Sequence, residues 1–567
     1  MITKEKPSIP NLRRAVALLL ALTVTLGPTV VPAFAASSKP ETIRKSATTT
    51  TPIQYLVVIF QENVSFDHYF GTYPNATNPP GENRFTAVST TPTVNGLTST
   101  LLSNNPNLNP NNNVAPSAAS NPFRLDVTQA ATADQDHDYT PEQAAFDMGA
   151  MDLFPLNTGT AGPPPKGITN NSLVMGYFDG NTVTAYWNYA QLFAMSDNSY
   201  GTTFGPSSVG VMNLVSGQTN GIINTNGLSG SGYETSGGSD GSLTVIGDPD
   251  PLNDVCSSST RYQVQMGNTT IGDLLNTAGV TWGAFMGGFD LTVVNPNGTT
   301  GCARSTKSNI SGVTESDYIP HHSFFQYWAN WANPNHTLPA NIAEVGNNGQ
   351  ANHQYDISQF FASVLNGTQP AVSFLKAQGY QDGHAGYSDP TDEQMFIVDT
   401  INFLENPANN PNWDSTAVVI AYDDSDGWYD HQMSPLVNTS SGTADVLTGP
   451  GLCGNSATAL PGYLGAAVNP NALGRCGYGP RLPLLVISPW ARQNFVDHSV
   501  TDQSSIIHFI EDNWLGSTRI GNGSFDGIAN SISQMFEFTL KTPRRNGTLC
   551  LSPFTGERQR PTLCGLP

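Results

Sequence analysis

The chain has 567 residues, of which 38% are hydrophobic and 12% charged, so it is long enough to bury a sizeable core. Its 54 glycines and 41 prolines are too few and too scattered for a collagen-like or unstructured polymer. The formal net charge of −21, from 44 acidic and 23 basic residues, argues against nucleic-acid binding through a basic face, because phosphate neutralisation needs clustered lysine and arginine. These values are typical of a large, loop-rich, acidic globular protein.

The N-terminal segment has the pattern of a signal peptide. Basic residues are followed by an uncharged stretch from Ala15 to Gly27, which is too short to span a bilayer. Small residues at Ala33 and Ala35 then fit a cleavage site. We predict a signal peptide over residues 1–36, a polar linker over 37–52, and an exported protein, periplasmic or extracellular, without stable membrane insertion. The alternative is an uncleaved membrane anchor.

Six cysteines lie beyond this segment, and none belongs to a CxxC pair of the zinc-site type. Export permits disulfides. We therefore favour disulfides between chain neighbours over metal ligation by the thiols. The pairs are Cys256–Cys302, Cys453–Cys476 and Cys550–Cys564.

Short apolar stretches alternate with helical patterns along the chain. Strands are predicted over residues 55–60, 281–286, 371–375, 417–421 and 484–487, and helices over 271–276, 359–365 and 396–404. In the second helix, Phe360, Phe361, Val364 and Leu365 are predicted on one face. The alternation predicts an α/β fold with a mainly parallel sheet. We expect one large domain over residues 53–567, with polar insertions near 86–122, 216–254 and 435–480.

Polar residues follow two of these strands, at the edge where open α/β sheets carry functional groups. Glu62 and Asn63 follow the first strand, and Asp423 and Asp424 follow the strand at 417–421. Four hard oxygen donors suit a divalent cation such as Mg, Ca or Mn, with Zn not excluded. The competing interpretation is that these residues cap helices or turns.

A serine occupies a third position of interest. Ser207 follows Gly-Pro and precedes an apolar stretch that could begin a helix. A hydroxyl at a helix N-terminus meets unpaired N–H groups and the positive end of the helix dipole, which suit an anionic phosphate. Taken alone, a serine in this position is more often a helix cap. Ser208 and Thr203 are rival nucleophiles by position.

Five separated motifs together resemble one family. They are Gln-Glu-Asn-Val-Ser-Phe-Asp-His-Tyr-Phe-Gly at 61–71, Gly-Pro-Ser at 205–207, Asp-Tyr-Ile-Pro-His-His at 317–322, Asp-Gly-His-Ala-Gly-Tyr-Ser-Asp-Pro at 382–390, and Tyr-Asp-Asp-Ser-Asp-Gly-Trp-Tyr-Asp-His at 422–431. Within residues 54–515 they resemble the bacterial phosphoesterase superfamily of non-haemolytic-type phospholipases C and acid phosphatase A.

The resemblance implies an alkaline-phosphatase-like fold, a three-layer α/β/α sandwich around a central sheet. It implies one divalent metal ion and a serine nucleophile supported by histidines. The implied metal ligands are Glu62, Asn63, Asp423 and Asp424, and the implied catalytic residues are Ser207, His137, His321, His322 and His384. Because imidazole titrates near neutral pH, we assign general-acid catalysis to His137 or His384 and phosphate contacts to His321 and His322.

The expected activity is hydrolysis of a phosphate ester through a phosphoserine intermediate. Many phospholipases C of this family have Thr at the position of Ser207, followed by Pro-Asn-Arg, whereas residues 209–213 here read Val-Gly-Val-Met-Asn, which is closer to the acid-phosphatase branch. A phospholipid and a phosphomonoester both remain candidate substrates. The alternative from another class is a secreted, non-catalytic binding or surface protein, suggested by the Asn-, Thr- and Gly-rich loops.

Overall fold

An eight-stranded sheet forms the centre of the computed structural model. The structure describes residues 48–108, 120–159, 172–230, 233–238, 241–454, 473–544 and 549–566, all within one unit that spans 47–567. The predicted signal peptide lies outside these residues. In chain order the strands of the central sheet are β1 (Tyr55–Gln61), β2 (Ala194–Ser196), β3 (Trp282–Met286), β4 (Gln354–Asp356), β5 (Val372–Lys376), β6 (Thr416–Tyr422), β7 (Leu484–Ile487) and β8 (Phe495–Asp497).

The strands lie across the sheet in the order β4-β3-β5-β1-β6-β7-β2-β8. Strand β7 is antiparallel to both of its neighbours, and the other pairings in this sheet are parallel. The two central strands β1 and β6 are apolar along most of their length and almost completely buried, as expected when both faces of a parallel sheet are covered. The prediction of an α/β fold with a mainly parallel central sheet is confirmed.

Helices connect and cover these strands. They are α1 (Phe66–Phe70), α2 (Ser99–Ser103), α3 (Tyr139–Phe146), α4 (Phe154–Asn157), α5 (Thr184–Leu192), α6 (Ser207–Ser216), α7 (Ile271–Ala278), α8 (Ile357–Leu365), α9 (Pro390–Glu405) and α10 (Ser504–Trp514). Side-chain oxygens of Ser65, Asp356 and Asp389 accept backbone N–H groups at the starts of α1, α8 and α9. These caps satisfy N–H groups that have no partner within the helix.

The buried face of α8 is narrower than the sequence predicts. Phe360 and Val364 are buried, but Leu365 is 57% exposed. Successive helical residues are rotated by about 100°, so Leu365, one residue beyond Val364, points away from the face that packs on the sheet. The prediction that Leu365 shares the buried face is therefore wrong.

Short strands outside the central sheet join the loops around it. One three-stranded sheet contains Ile222–Thr225, Gln263–Met266 and Asp250–Pro251. Two-stranded pairs join Phe123–Leu125 to Gly176–Phe178, Ser199–Tyr200 to Thr501–Asp502, Thr235–Gly237 to Leu243–Val245, and Ser305–Lys307 to Thr314–Ser316.

All three predicted disulfides are present: Cys256–Cys302, Cys453–Cys476 and Cys550–Cys564. The prediction of neighbouring pairs is confirmed. Among the described helices, none has both the length and the apolar character needed to cross a membrane.

Candidate active site

The carboxyl ends of β1 and β6 lie side by side at one edge of the sheet. Gln61 pairs with Tyr422 in the parallel register, so the next residues, Glu62 and Asp423, leave the sheet at the same level. Both carboxylates are buried. The two acidic segments that are 360 residues apart in the chain therefore meet at one point, and the backbone N–H of Asn63 donates to Asp423 Oδ1 at 3.2 Å.

Helix α6 brings Ser207 to this edge. The turn before it contains Gly205 at φ +119°, a conformation that favours glycine. A Cβ on Gly210 would lie 2.3 Å from the carbonyl oxygen of Asp423, so a glycine lets α6 pack directly on the end of β6. The hydroxyl of Ser207 consequently lies 2.9 Å from Glu62 Oε2 and 3.2 Å from Asp424 Oδ2.

The side chain of Asn63 lies between the carboxylates and two histidines. Asn63 has a left-handed backbone conformation, with φ +54°, which directs its amide group into the site. One end of the amide lies 2.6 Å from Glu62 Oε2 and 3.1 Å from Asp423 Oδ1, and the other end lies 3.1 Å from His384 Nε2. His137 Nε2 lies 3.3 Å from that same end. Asn63 thus connects the acidic half of the site to the imidazole half.

A lysine that the sequence analysis missed completes the acidic half. Lys376 is the last residue of β5 and is 1% exposed. Its Nζ lies 2.8 Å from Asp423 Oδ2 and also contacts Glu62 Oε1. Burial disfavours the charged form, but these two carboxylates raise the pKa of Lys376 above its usual value, so the side chain is a cation. A charged residue at the end of a buried, largely apolar strand is the signal that could have identified it.

The charges of this cluster do not balance without a further cation. Burial raises the pKa values of Glu62 and Asp423, and it raises the pKa of Asp424 to about 8. Four buried carboxylates, those of Glu62, Asp423, Asp424 and Asp426, thus face two cationic groups, Lys376 and His137. Ser207 has a single proton for two carboxylate oxygens. Buried acceptors that converge without enough donors fit a hard divalent cation, which prefers carboxylate, amide and hydroxyl oxygens. The described residues also contain Glu62, His322 and Asp382 as a group that could hold a metal ion.

Two of the predicted histidines follow the Asp317–Pro320 segment. His322 Nδ1 lies 3.1 Å from Glu62 Oε1, and burial lowers the pKa of His322 well below its usual value. The ring of His321 lies edge-on to that of His322, at a centroid distance of 4.6 Å. The Nδ1 of His321 contacts Arg261 Nη1 at 3.2 Å. His322 therefore contacts Glu62 directly, whereas His321 contacts the ring of His322.

His137 and His384 lie on the other side of Asn63, with a ring-centroid distance of 5.7 Å. Burial lowers the pKa of His384. Burial also disfavours the charged form of His137, but the carboxylates of Asp424 and Asp426 raise the pKa of His137 well above its usual value. The two imidazoles therefore differ in charge, with His137 favouring the protonated form.

The rival nucleophiles make other contacts. Ser208 Oγ lies 3.0 Å from Tyr327 Oη and 3.2 Å from the carbonyl oxygen of His321. Thr203 Oγ1 accepts a hydrogen bond from Asn213 Nδ2 at 3.0 Å. Within the described residues, Ser207 is the hydroxyl that lies between the carboxylates.

A family model described as "Phosphoesterase family" matches residues 53–515 of this chain. Non-hemolytic phospholipase C of Burkholderia pseudomallei strain K96243 is 25% identical over 481 residues, which are 82% of this chain and 55% of that protein. Phospholipase C B of Mycobacterium tuberculosis strain H37Rv is 24% identical over 477 residues, 81% of this chain and 73% of that protein. The chain thus spans about half the length of the Burkholderia relative.

Among solved structures, murine ectonucleotide pyrophosphatase/phosphodiesterase 5 aligns with a TM-score of 0.29 and 13% sequence identity. The alignment covers 63% of this chain and 95% of that chain.

Proposed function

Because this chain belongs to the phosphoesterase family, we propose that it is an exported, metal-dependent phosphoric ester hydrolase that forms a phosphoserine intermediate. The observation that carries the proposal is the position of the Ser207 hydroxyl, 2.9 Å from Glu62 and 3.2 Å from Asp424. A secreted protein that only binds a partner has no need for a buried hydroxyl between carboxylates. The same site joins the acidic, amide and imidazole groups that ester hydrolysis uses.

The proposed metal ligands are Glu62, Asn63, Asp423 and Asp424, which offer hard oxygen atoms around Ser207. A divalent cation bound there would favour ionisation of the serine hydroxyl and neutralise part of the phosphate charge. Lys376 lies against two of these carboxylates. We assign it the role of holding Glu62 and Asp423 in place, because its ammonium group donates to both.

The chain's own groups account for the proton transfers. In the first step Ser207 Oγ bonds to phosphorus, its proton passes to the neighbouring carboxylate of Glu62, and the bond from phosphorus to the alcohol oxygen breaks. That alcohol oxygen takes a proton from His384 or His137. In the second step water bonds to phosphorus and gives a proton to the same imidazole, and Oγ leaves and recovers its proton. His321 and His322 contact the phosphate oxygens.

The general-acid role predicts an effect that depends on the leaving group. Replacement of His384 by alanine (H384A) should lower kcat/KM for an alkyl phosphate by about 100-fold or more, whereas kcat/KM for p-nitrophenyl phosphate, whose leaving group needs little protonation, should fall much less. Steady-state kinetics with both substrates measure this difference. H137A is the matched variant, since the two rings face the same amide. If neither variant separates the substrates, the general-acid assignment is wrong.

We place the catalytic activity in a single domain over residues 53–567, outside the cytoplasm. The signal-peptide pattern at residues 1–36 supports export. The three disulfides also support it, because such bonds persist in oxidising compartments.

The substrate is a phosphate ester, either a phospholipid diester or a phosphomonoester. The relatives in Burkholderia and Mycobacterium are called phospholipases C, whereas the sequence after Ser207 favours a monoester. Turnover of p-nitrophenyl phosphate should be compared with that of p-nitrophenyl phosphorylcholine, before and after removal of metal by a chelator. We expect hydrolysis that the chelator abolishes and a divalent cation restores. Hydrolysis of neither ester by the metal-loaded protein would contradict the proposed function.

A further inference from the structure

A cavity of about 250 Å³ adjoins the candidate active site. It is lined by His321, His322, His384 and Tyr387, together with side chains from the segments 250–261 and 315–320. A cavity of this size is smaller than a typical pocket for drug-sized ligands, so its volume is enough for a short alcohol and too small to enclose a pair of acyl chains. Because His384, one of the two proposed proton donors to the leaving group, lines this cavity, the alcohol part of the substrate would lie here.

One polar group in the cavity wall is left without a donor. Asp250 is 2% exposed and lines the cavity. Its Oδ2 accepts a hydrogen bond from the backbone N–H of Ser258 at 2.8 Å, but Oδ1 has no hydrogen-bond partner among the described residues. Buried carboxylate oxygens are normally hydrogen-bonded, and leaving one unsatisfied is costly. The free atom is therefore an acceptor that a bound ligand could satisfy.

The neighbouring arginine does not supply that donor. Arg261 Nε lies 3.7 Å and His321 Nδ1 lies 3.6 Å from Asp250 Oδ1, and both distances are too long for a hydrogen bond. Arg261 Nη1 contacts His321 Nδ1, and Nη2 of the same arginine donates to the carbonyl oxygen of Asp248. Since a guanidinium has no acceptor, a hydrogen bond from Arg261 Nη1 to His321 Nδ1 leaves that ring nitrogen without a proton for Asp250. Arg261 thus holds His321, and Asp250 Oδ1 stays open.

We propose that this cavity binds the alcohol part of the phosphate ester and that Asp250 Oδ1 accepts a hydrogen bond from a hydroxyl or protonated amine on that alcohol. The proposal rests on the proposed function, because it names the substrate class of the same site. It predicts a preference for short alcohols that carry a donor. A quaternary ammonium group, which has no N–H, would leave Asp250 Oδ1 unsatisfied.

Matched substrates test this on the unaltered protein. 2-Hydroxyethyl phosphate and 2-methoxyethyl phosphate differ in the donor, as do 2-aminoethyl phosphate and its N-trimethyl analogue. We expect kcat/KM to be about tenfold or more higher for the donor-bearing member of at least one pair, and the pair that responds identifies a hydroxyl or an amine as the donor. Equal kcat/KM within both pairs would overturn the proposal. If the metal-loaded protein hydrolyses none of these phosphate esters, the proposed function is overturned together with this proposal.

Replacement of Asp250 by asparagine (D250N) tests the residue. Because the N–H of Ser258 needs an acceptor, the amide oxygen should remain there and the NH₂ group should replace Oδ1, so an acceptor becomes a donor. The ratio of kcat/KM within the responding pair should then fall to about one. Glu315→Gln is the control, since Glu315 lines the same cavity and its Oε1 already accepts from the N–H of Ser316. A folded D250N protein that keeps the wild-type ratio would overturn the proposal.

Discussion

Replacement of Ser207 by alanine (S207A) is expected to lower kcat for p-nitrophenyl phosphate by about ten-thousand-fold or more. The variant removes the hydroxyl that lies within hydrogen-bonding distance of both Glu62 and Asp424. Residual turnover would come from water attacking a phosphate still bound by the other groups. Steady-state kinetics of the purified, metal-loaded variant give the measurement, with circular dichroism to establish that it is folded.

The adjacent serine provides the matched control. Ser208 is equally buried, but its hydroxyl contacts Tyr327 and a backbone carbonyl instead of the carboxylates. The S208A variant should therefore keep kcat within about tenfold of the unaltered protein. A large loss in S208A with little loss in S207A would show that the nucleophile has been assigned to the wrong residue.

Replacement of Asp424 by asparagine (D424N) is expected to lower bound metal and to reduce kcat/KM by about 100-fold or more. The amide has one neutral oxygen, whereas the carboxylate has two oxygens that share a negative charge, so the ligand set loses that charge. The local turn should persist, because the amide oxygen can still accept the N–H of Asp426, which donates to Asp424 Oδ1 at 2.8 Å. Elemental analysis of the dialysed protein measures the metal directly.

Asp389→Asn is the control for D424N, since Asp389 is also buried but caps α9 through Thr391 and Asp392. That variant should retain both metal and activity. Unchanged metal content in D424N would remove Asp424 from the ligand set, even if its activity fell.

Much of the fold follows from the sequence, because apolar strands in a covered parallel sheet are continuous hydrophobic stretches. The runs before Glu62 and Asp423 therefore identify β1 and β6. The family predicted from five motifs is confirmed by the match over residues 53–515. The hydrophobic stretches do not show which strands are neighbours in the sheet. The position of β1 between β5 and β6 depends on pairing between segments that are far apart in the chain.

The groups missed by the sequence analysis depend on that pairing. Lys376 ends a strand in the same way as Gln61, but a single lysine carries no motif until β5 is placed beside β1. Asp250 lies in a polar segment that the sequence assigns to an insertion. Its unpaired oxygen can be identified only when the positions of the residues that line the cavity are known. Asn63 and Ser207 were identified because they belong to multi-residue motifs.

The central claim is that Ser207 becomes phosphorylated during turnover. The protein should be mixed with substrate, quenched in acid within the first turnovers, digested and analysed by mass spectrometry. Our account predicts a phosphate on the peptide that contains residues 205–213, at Ser207. A phosphate on Ser208, on Thr203 or on a histidine, or turnover with no phosphorylated peptide at all, would contradict it.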